Sequence, residues 1–384
     1  MIVFGIFFIY SACYIRDDLE VVPLYKKQIM WSFVGMASYI FFSVYDYRKF
    51  RKLASWIYSF CIILLLLVLM VGVTKYGGKR WLSIAGVQIQ PSELMKLGMM
   101  IFLASFLSNP RINLGDWRVF ATSIAIAVVP FGLIAMQPDL GTAMVLLPVA
   151  FMMMFVGGVP VKYLGSIVAI GLVGLTLLMA LLILPEKLGA TEETQEKVMN
   201  AIGLKEHQKK RIMVYLNLDK DPLGAGWNKT QSKIAVGSGG ALGKGWCKGR
   251  QNVLGFLPRS VAPTDFIYSV IAEEKGFVGS MIVLLLYGTI ITFGLYGAMI
   301  SRDRMGRILC TGIVTMIFTH VFINIAMTIG LMPITGLPLP LLSYGGTFTV
   351  AIMTSLGMIQ SVFIRSRRTD MFSQTASGSV GYAG

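Results

Sequence analysis

Ten apolar runs, separated by polar stretches, dominate the sequence. A window of about 19 residues places these runs at 1–14, 28–45, 54–73, 93–107, 119–136, 140–157, 162–184, 277–299, 307–329 and 344–364. Most of them approach the roughly 17–25 residues that a helix needs to cross a bilayer. The pattern therefore predicts an all-α polytopic membrane protein with about ten transmembrane helices, forming a single domain over residues 1–368.

Two polar regions depart from this pattern. The segment 185–276, between the seventh and eighth runs, is rich in Gly, Lys and Glu, and we predict one large loop there. Residues 369–384 contain Ser, Gly and Thr with little apolar content. Such a composition cannot bury enough apolar surface to fold, so we expect a disordered tail.

Composition supports a membrane protein and excludes other classes. The 384 residues are 55% hydrophobic and 14% charged, with a mean hydropathy of +0.70, which is too apolar for a soluble globular domain. The net charge is +15, but Lys and Arg are scattered between apolar runs, so nucleic-acid binding is not expected. Cys13, Cys61 and Cys310 lie in or beside apolar runs and only Cys247 lies in a polar segment, so neither a disulfide framework nor a Cys/His metal site is predicted.

The distribution of positive charge predicts the orientation. Thirteen Lys and Arg residues follow the even-numbered runs, against six in the short loops after odd-numbered runs. Because cytoplasmic loops carry the excess of Lys and Arg, both termini are predicted to be cytoplasmic. The large loop and the connections 74–92, 137–141 and 331–343 are then extracytoplasmic, and nearly every unusual polar residue lies on that side.

An acidic and a basic residue lie within the fourth apolar run. Glu93 and Lys96 are three residues apart, so they share one helix face and can pair. Ionisable groups at membrane depth are costly, which indicates a functional site. A helix N-terminus explains them equally well, with Ser92 or Glu93 near the first N–H groups after Pro91 and Lys96 extended toward the interface. The sequence leaves both interpretations open.

Two further polar features border or enter apolar runs. Asp139 lies in a connection too short to be a loop, where a turn or a helix cap explains it as well as a functional role does. His320 and Asn324 are four residues apart in the ninth run and share one helix face. Polar pairs of this kind more often bridge helices than perform chemistry, so the structural interpretation is favoured.

The large loop carries a dense set of polar signals. It contains Arg211, Gln231-Ser232 and the run Gly237-Ser238-Gly239-Gly240-Ala241-Leu242-Gly243-Lys244-Gly245. Glycines let backbone amides approach an anion, and Lys and Arg supply charge for phosphates, but a generic Gly-rich loop looks similar. The run lacks the order G-x-x-x-x-G-K-[ST] of a nucleotide-binding loop, so ATP binding is not predicted.

Carboxylates cluster near the end of the loop. If residues 264–275 are helical, Asp265 and Glu273 lie on about one face, and only one of them need be a base. Thr264 or Asp265 could instead be a helix N-cap.

Farther along, the segment 330–346 contains three prolines and four glycines. Irregular backbone near a membrane boundary is tolerated where it lines a cavity or is buried in protein.

Short motifs follow one another in a characteristic order. They are Arg80-Trp81, Gln90-Pro91-Ser92-Glu93, Gln137-Pro138-Asp139-Leu140-Gly141-Thr142, Gln231-Ser232, Gly237-Ser238-Gly239-Gly240, Thr264-Asp265-Phe266-Ile267, Glu273-Glu274 and Pro338-Leu339-Pro340-Leu341-Leu342-Ser343-Tyr344-Gly345-Gly346. Together they resemble the SEDS family of shape, elongation, division and sporulation proteins across essentially the whole chain. Asp221-Pro222-Leu223-Gly224-Ala225-Gly226, Gly243-Lys244-Gly245 and Gly255-Phe256-Leu257-Pro258 are more similar to the elongation members than to the division members.

The resemblance implies a function and a set of site residues. It implies a glycosyltransferase of the bacterial cytoplasmic membrane that polymerises lipid II into peptidoglycan glycan strands during cell elongation. The implied partners are a class B penicillin-binding protein, which crosslinks the strands, and other membrane proteins of the elongation complex. Asp265 matches the catalytic aspartate. The residues predicted to bind substrate or line its cavity are Arg80, Glu93, Lys96, Asp139, Arg211, Gln231, Ser232, Lys244 and Ser343.

The predicted orientation favours the same chemistry. No ATP is supplied outside the cytoplasm, so a polymerase there needs a substrate with its own leaving group, such as a lipid-linked pyrophosphate. We expect Asp265 to act as general base on the acceptor hydroxyl, with inversion at the anomeric carbon. Basic side chains, and a divalent cation (Mg²⁺ or Mn²⁺) near Asp265, would stabilise the departing pyrophosphate.

Two alternatives remain at the level of sequence. A lipid II flippase also suits ten spans with intramembrane charges, although the two halves show no evident inverted repeat and the polar motifs crowd on one side. A non-catalytic scaffold for a transpeptidase would not need the arrangement of Asp265 with Glu93 and Lys96.

Overall fold

The computed structural model describes residues 1–14, 24–75, 78–84, 87–187, 225–258 and 260–378. In chain order its main elements are α1 (Ile2–Cys13), α2 (Leu24–Val44), α3 (Phe50–Val71), β1 (Val73–Lys75), β2 (Gly78–Ile84), β3 (Val87–Ile89), α4 (Pro91–Leu107), α5 (Trp117–Met136), α6 (Leu140–Gly157), α7 (Val161–Lys187), α8 (Ala225–Ser238), α9 (Arg250–Val253), α10 (Ile267–Ile300), α11 (Arg304–Thr328) and α12 (Gly346–Gly378). A helix therefore forms at each of the ten predicted apolar runs.

Six of these helices are long and apolar enough to cross a membrane. They are α3 with its preceding turn (Tyr47–Val71), α5, α6, α10, α11 and the first part of α12 (Gly346–Ser366). The chain is thus a mostly helical, multi-pass membrane protein. That α1, α2, α4 and α7 also span the bilayer stays a prediction, and so does the large loop as a whole.

A small antiparallel sheet corrects the all-α prediction. β1 pairs with β2 and β2 pairs with β3, with Lys75 opposite Gly78 and Ile84 opposite Val87. Glycine-containing pairs separate three short runs that include β-branched and aromatic residues, which is the sequence signature of hairpins. A window of helical length averages over runs this short, so hydropathy alone missed them.

The end of the predicted loop contains a helical segment that precedes the predicted eighth run. α10 begins at Ile267, ten residues before the predicted eighth run at 277–299. Gly276, with φ 64° and ψ −159°, interrupts the helical path between the two parts. Residues 267–275 of the segment considered as helical therefore form a helix before this break, and the part of α10 after Gly276 coincides with the predicted run at 277–299. Glycine permits the positive φ at the break.

The backbone of the last helix extends beyond the predicted domain end. α12 continues to Gly378, so the backbone over 369–378 is helical where the sequence indicated a disordered tail. The side chains there and residues 379–384 lie outside the described part of the chain. The cytoplasmic location of this tail stays a prediction.

The centre of the molecule is α11, which contacts α4, α6, α10 and α12 and is buried along most of its length. α2 packs along α12, α3 along α4 and α5 along α6. Large apolar side chains on the outward faces are exposed, among them Phe33, Trp56, Ile170 and Phe293. Lipid is as apolar as these side chains, so their exposure is typical of helices that face a bilayer.

Candidate active site

Asp265 lies in a turn immediately before α10. The N-cap of α10 is Phe266, whose side chain makes no capping bond, so neither Thr264 nor Asp265 occupies the N-cap position that the sequence allowed. Thr264 instead donates its hydroxyl to Val261 O at 3.2 Å. The N–H groups of Asp265 and Phe266 both donate to Val261 O at 3.0 Å. These bonds fix the backbone of the aspartate, while the residue itself stays partly exposed.

The irregular segment 335–343 lies against this turn. Gly336 has φ 75°, a conformation that residues with a Cβ rarely adopt. A Cβ at Gly336 would lie 3.4 Å from Asp265 Oδ2. The Ser343 hydroxyl donates to Thr264 O. Ser343, predicted to bind substrate, therefore makes a structural contact that holds the backbone next to Asp265.

Two side chains of α11 connect to the same region. Asn324 Nδ2 donates to Asp265 O at 2.8 Å and to Leu337 O at 2.7 Å. His320 Nδ1 lies 3.3 Å from Pro338 O. Both side chains are fully buried. They join α11 to neighbouring segments, as the structural interpretation of this pair predicted, but one of those segments carries the candidate base.

Glu93 and Lys96 form a buried ion pair. Lys96 Nζ lies 2.8 Å from Glu93 Oε2 and 2.9 Å from His320 Nε2. The side chains are only 2% and 3% exposed for Lys96 and Glu93, and the ammonium also lies 5.3 Å from the centroid of the Phe348 ring. The N-cap of α4 is Gln90, without a side-chain cap. Glu93 is therefore used for pairing with Lys96, and the predicted contact of this pair with substrate stays a prediction.

Asp139 is both a helix cap and an ion-pair partner. Its carboxylate accepts from Thr142 N at 3.4 Å at the start of α6 and from Gln90 Nε2 at 3.1 Å. Arg80 Nη1 lies 3.6 Å from Asp139 Oδ1, and Arg80 Nε donates to Gln137 O at 3.3 Å. Because Arg80 belongs to β2, the small sheet brings this cation to the start of α6.

The group around Asp139 and the turn of Asp265 contact the same segment. A Cβ at Gly141, in the first turn of α6, would lie 2.6 Å from Thr335 O. The next residue, Gly336, adjoins the Asp265 carboxylate. The structure thus brings the predicted motifs together at the starts of α4, α6, α10 and α12 and the end of α11.

Ser232 joins α8 to the helices beneath it. Its hydroxyl lies 2.6 Å from Ser269 Oγ on α10 and donates to Thr328 O on α11 at 2.8 Å. The residue is fully buried. The contacts of Ser232 are therefore structural, and its predicted substrate contact stays a prediction.

α8 also brings positive charge to this region. Lys229 is 4% exposed, and its burial, together with the charge of Lys233, lowers the pKa of the Lys229 ammonium. Gln231 is buried on the same helix. α8, which packs against α10, therefore carries both a polar and a cationic group among its buried residues.

The Gly-rich run packs against α10, and the N–H groups at its end are bonded within the protein. The N–H groups of Lys244 and Gly245 donate to Glu273 O and Glu274 O, each at 3.0 Å. Lys244 Nζ lies 2.7 Å from Glu273 Oε1, and the Glu273 side chain is 1% exposed. Gly243 leaves no room for a Cβ beside Glu274 O. Glycine is thus required for close packing of two backbones, and Glu273 is buried in an ion pair where a sugar hydroxyl cannot reach it.

Comparison with known proteins identifies the family. The sequence model of FtsW, RodA and SpoVE, described as "Cell cycle protein", matches residues 1–368. "Peptidoglycan glycosyltransferase RodA" of Treponema pallidum is 34% identical, with 94% of each chain covered. "Peptidoglycan glycosyltransferase MrdB" of Escherichia coli is 32% identical, over 92% of this chain and 90% of the relative. The chain belongs to the SEDS family.

Solved structures agree with this membership in the SEDS family. A chain from "Structural coordination of polymerization and crosslinking by a peptidoglycan synthase complex" superposes with a TM-score of 0.73 at 28% identity, covering 95% of this chain and 97% of that one. The rod shape determining protein RodA of Thermus thermophilus gives a TM-score of 0.65 at 28% identity, covering 94% of this chain and 92% of that one.

The divalent cation predicted near Asp265 would not have an all-protein cage within the described residues. No group of three or more His, Cys, Asp or Glu in that part of this SEDS protein is arranged to hold a metal ion. Mg²⁺ is commonly held by one or two carboxylates together with substrate phosphates. A partly exposed carboxylate such as Asp265 fits that mode of binding.

Two parts of the site escaped the sequence analysis. Asn324 contacts the backbone of Asp265, but its i, i+4 spacing with His320 indicated only a bridge between helices. β2 places Arg80 beside Asp139, and the glycine-bounded hairpin pattern was the signal that could have located it. Arg211, also predicted to bind substrate, lies outside the described residues.

Proposed function

We propose that this SEDS protein is a peptidoglycan glycosyltransferase that polymerises lipid II, with Asp265 as its general base. One observation carries the proposal. Among the acidic residues of the site, Asp265 is partly exposed on a fixed backbone, whereas Glu93, Asp139, Glu273 and Glu274 are buried. A base must reach the hydroxyl it deprotonates, so accessibility selects Asp265. The names of relatives at 32–34% identity support the reaction class.

The reaction is an inverting transfer. An Asp265 carboxylate oxygen takes the proton of the acceptor sugar 4-hydroxyl, and that oxygen attacks the anomeric carbon of the lipid-linked donor strand. The bond from the anomeric carbon to the diphosphate breaks, and undecaprenyl pyrophosphate leaves with the bonding electrons. One displacement converts the α-linked diphosphate into a β-1,4 bond, so one base suffices and no covalent sugar intermediate is needed.

Positive charge is required where the diphosphate departs. Arg80 beside α6 and the lysines of α8 supply positive charge in this part of the described chain. A divalent cation held by Asp265 and the substrate phosphates would neutralise developing charge on the leaving group. Fixed charges of this kind stabilise the transition state more than the ground state.

The charge pattern and the relatives support an orientation in the membrane, a partner protein and a cellular role. We place both termini in the cytoplasm and the site on the outer face of the cytoplasmic membrane, because Lys and Arg are concentrated in the loops after even-numbered apolar runs. The similarity to a chain of a synthase complex that coordinates polymerization and crosslinking supports a class B penicillin-binding protein as partner. The relatives named RodA and MrdB support a role in cell elongation and shape.

Polymerisation of purified lipid II by the detergent-purified protein tests the proposal. We compare wild type, Asp265→Ala and the matched control Asp116→Ala, in which an exposed cap of α5 is removed. Loss of a general base lowers the rate by about 10²–10⁴-fold, so Asp265→Ala should make almost no glycan while Asp116→Ala retains activity. An EDTA arm with Mg²⁺ or Mn²⁺ added back tests the cation.

Two results would reject the proposal. If Asp265→Ala polymerises as fast as wild type, Asp265 is not the base. If wild type, with or without its cognate transpeptidase, makes no glycan but moves lipid II across vesicle membranes, the flippase interpretation is correct.

A further inference from the structure

His320 and Asn324 form a polar stripe on α11 that ends at the candidate base. We infer that these two residues are positioning residues for Asp265 and couple it to the buried Glu93–Lys96 pair. The inference rests on the proposed function, because it gives the stripe a role in that reaction. It assigns no contact with substrate to either residue.

The orientation of the Asn324 amide follows from its neighbours. Its Nδ2 lies 2.8 Å from Asp265 O and 2.7 Å from Leu337 O, and both neighbours are carbonyl oxygens, which only accept. The amide nitrogen must therefore point at them. One side chain thus holds the turn of Asp265 and the segment 335–343 at a fixed separation, with Gly336 of that segment beside the Asp265 carboxylate.

The cost of placing Asn324 here indicates that the position is specialised. The side chain is fully buried, and its Oδ1 has no hydrogen-bond partner among the described residues. Leaving a buried acceptor unpaired opposes folding, so an apolar residue would be the simpler choice at the centre of the bundle. Asn324 donates two hydrogen bonds to backbone carbonyls of the site, which a leucine at this position could not do.

The proton positions along the stripe are fixed by the lysine. An ammonium group has only donors, so His320 Nε2, 2.9 Å from Lys96 Nζ, must accept. The imidazole proton is then on Nδ1, where it can donate to Pro338 O at 3.3 Å. The chain of contacts runs from Glu93 through Lys96 and His320 to the segment 335–343.

Both ends of the stripe therefore act on one segment. His320 fixes it at Pro338, Asn324 fixes it at Leu337, and Ser343 returns from it to Thr264 O beside the base. A displacement of about 1 Å at a reacting group can cost 10²-fold in rate. Loosening the segment 335–343 should therefore lower kcat. KM should stay unchanged, because the substrate is bound by other residues of the site.

Asn324→Leu tests the proposal against a matched change on the same helix. Thr319→Val is the control, because among the described residues the buried Thr319 hydroxyl donates to Thr315 O within α11 and to no group of the site. We expect Asn324→Leu to lower kcat for glycan synthesis by about 10–100-fold with KM within twofold, and Thr319→Val to leave both unchanged. His320→Asn, which can keep a donor near Pro338 O, should retain more activity than His320→Leu.

Hydrogen exchange measured by mass spectrometry gives a readout independent of catalysis. Peptides covering 260–266 and 335–343 should exchange faster in Asn324→Leu and at the wild-type rate in Thr319→Val. The inference is overturned if exchange there is unchanged, or if an active wild type and Asn324→Leu share the same kcat. If wild type makes no glycan but exchange increases as expected, the proposed reaction fails, and Asn324 orders the two segments without a role in that reaction.

Discussion

The buried pair of Glu93 and Lys96 allows a quantitative test of how the site is held together. Lys96→Met keeps the length of the side chain but removes the charge that lies 2.8 Å from Glu93 Oε2. Both partners are at most 3% exposed, so solvent cannot compensate for the loss. Breaking such a buried pair costs about 3–5 kcal/mol, whereas replacing both partners with apolar or neutral groups is often nearly neutral. Removing the lysine also leaves His320 Nε2 without its donor, which adds to the cost.

The expected result is a strong, non-additive loss of stability. Thermal unfolding in detergent, followed by the loss of monodisperse protein, should show Lys96→Met well below wild type and Glu93→Gln/Lys96→Met substantially recovered. Lys162→Met is the control, because this lysine is exposed, with its Nζ 4.8 Å from the centroid of the Tyr163 ring. Surface changes of that kind stay within about 0.5 kcal/mol. If Lys96→Met is as stable as wild type, or if the double variant is worse than the two single variants combined, the assignment of a stabilising buried pair is refuted.

Two further predictions concern the Gly-rich run and Cys247, which follows it. A Cβ at Gly239 would overlap Ala272 O, so Gly239→Ala should destabilise the protein by roughly 1–3 kcal/mol in thermal unfolding. Gly237→Ala is the control, because a Cβ there meets nothing within 4 Å and the variant should be neutral or stabilising. Equal stability of the two variants would contradict this packing. Burial raises the pKa of the Cys247 thiol. Maleimide labelling of this residue at pH 7 should therefore be slower than labelling of a free thiol, and its rate should increase with pH as thiolate forms. Labelling at the rate of a free thiol would contradict the burial.

The element order could be read from the sequence because helix formation in a bilayer depends on the local run of apolar residues. All ten predicted runs contain a helix, since an apolar segment must satisfy its backbone groups internally. The sheet between α3 and α4 was missed because its strands have only three to seven residues, too few to register in a helical window. The early start of α10 was obscured by Glu273 and Glu274, whose charges end the apolar signal while their side chains are buried against Lys244 and Ser11.

The candidate site shows where sequence reasoning stops. The motifs named its members, and the structure brings Asp139, Glu93, Asp265 and the segment 335–343 together. Their roles could not be predicted from the sequence, because the residue type does not show whether a serine joins two segments of the protein or binds substrate. Ser343, Ser232 and Lys244 all have contacts within the protein that only long-range packing creates.

By itself the sequence determined the helical membrane architecture, the family and the identity of the candidate base, since hydropathy and short motifs are local properties. The tertiary structure decided which polar residues face one another. Asn324 and Asp265 are 59 residues apart, and Lys96 and His320 are 224 residues apart. Contacts over such separations depend on how helices pack around α11, and no local pattern along the chain encodes them.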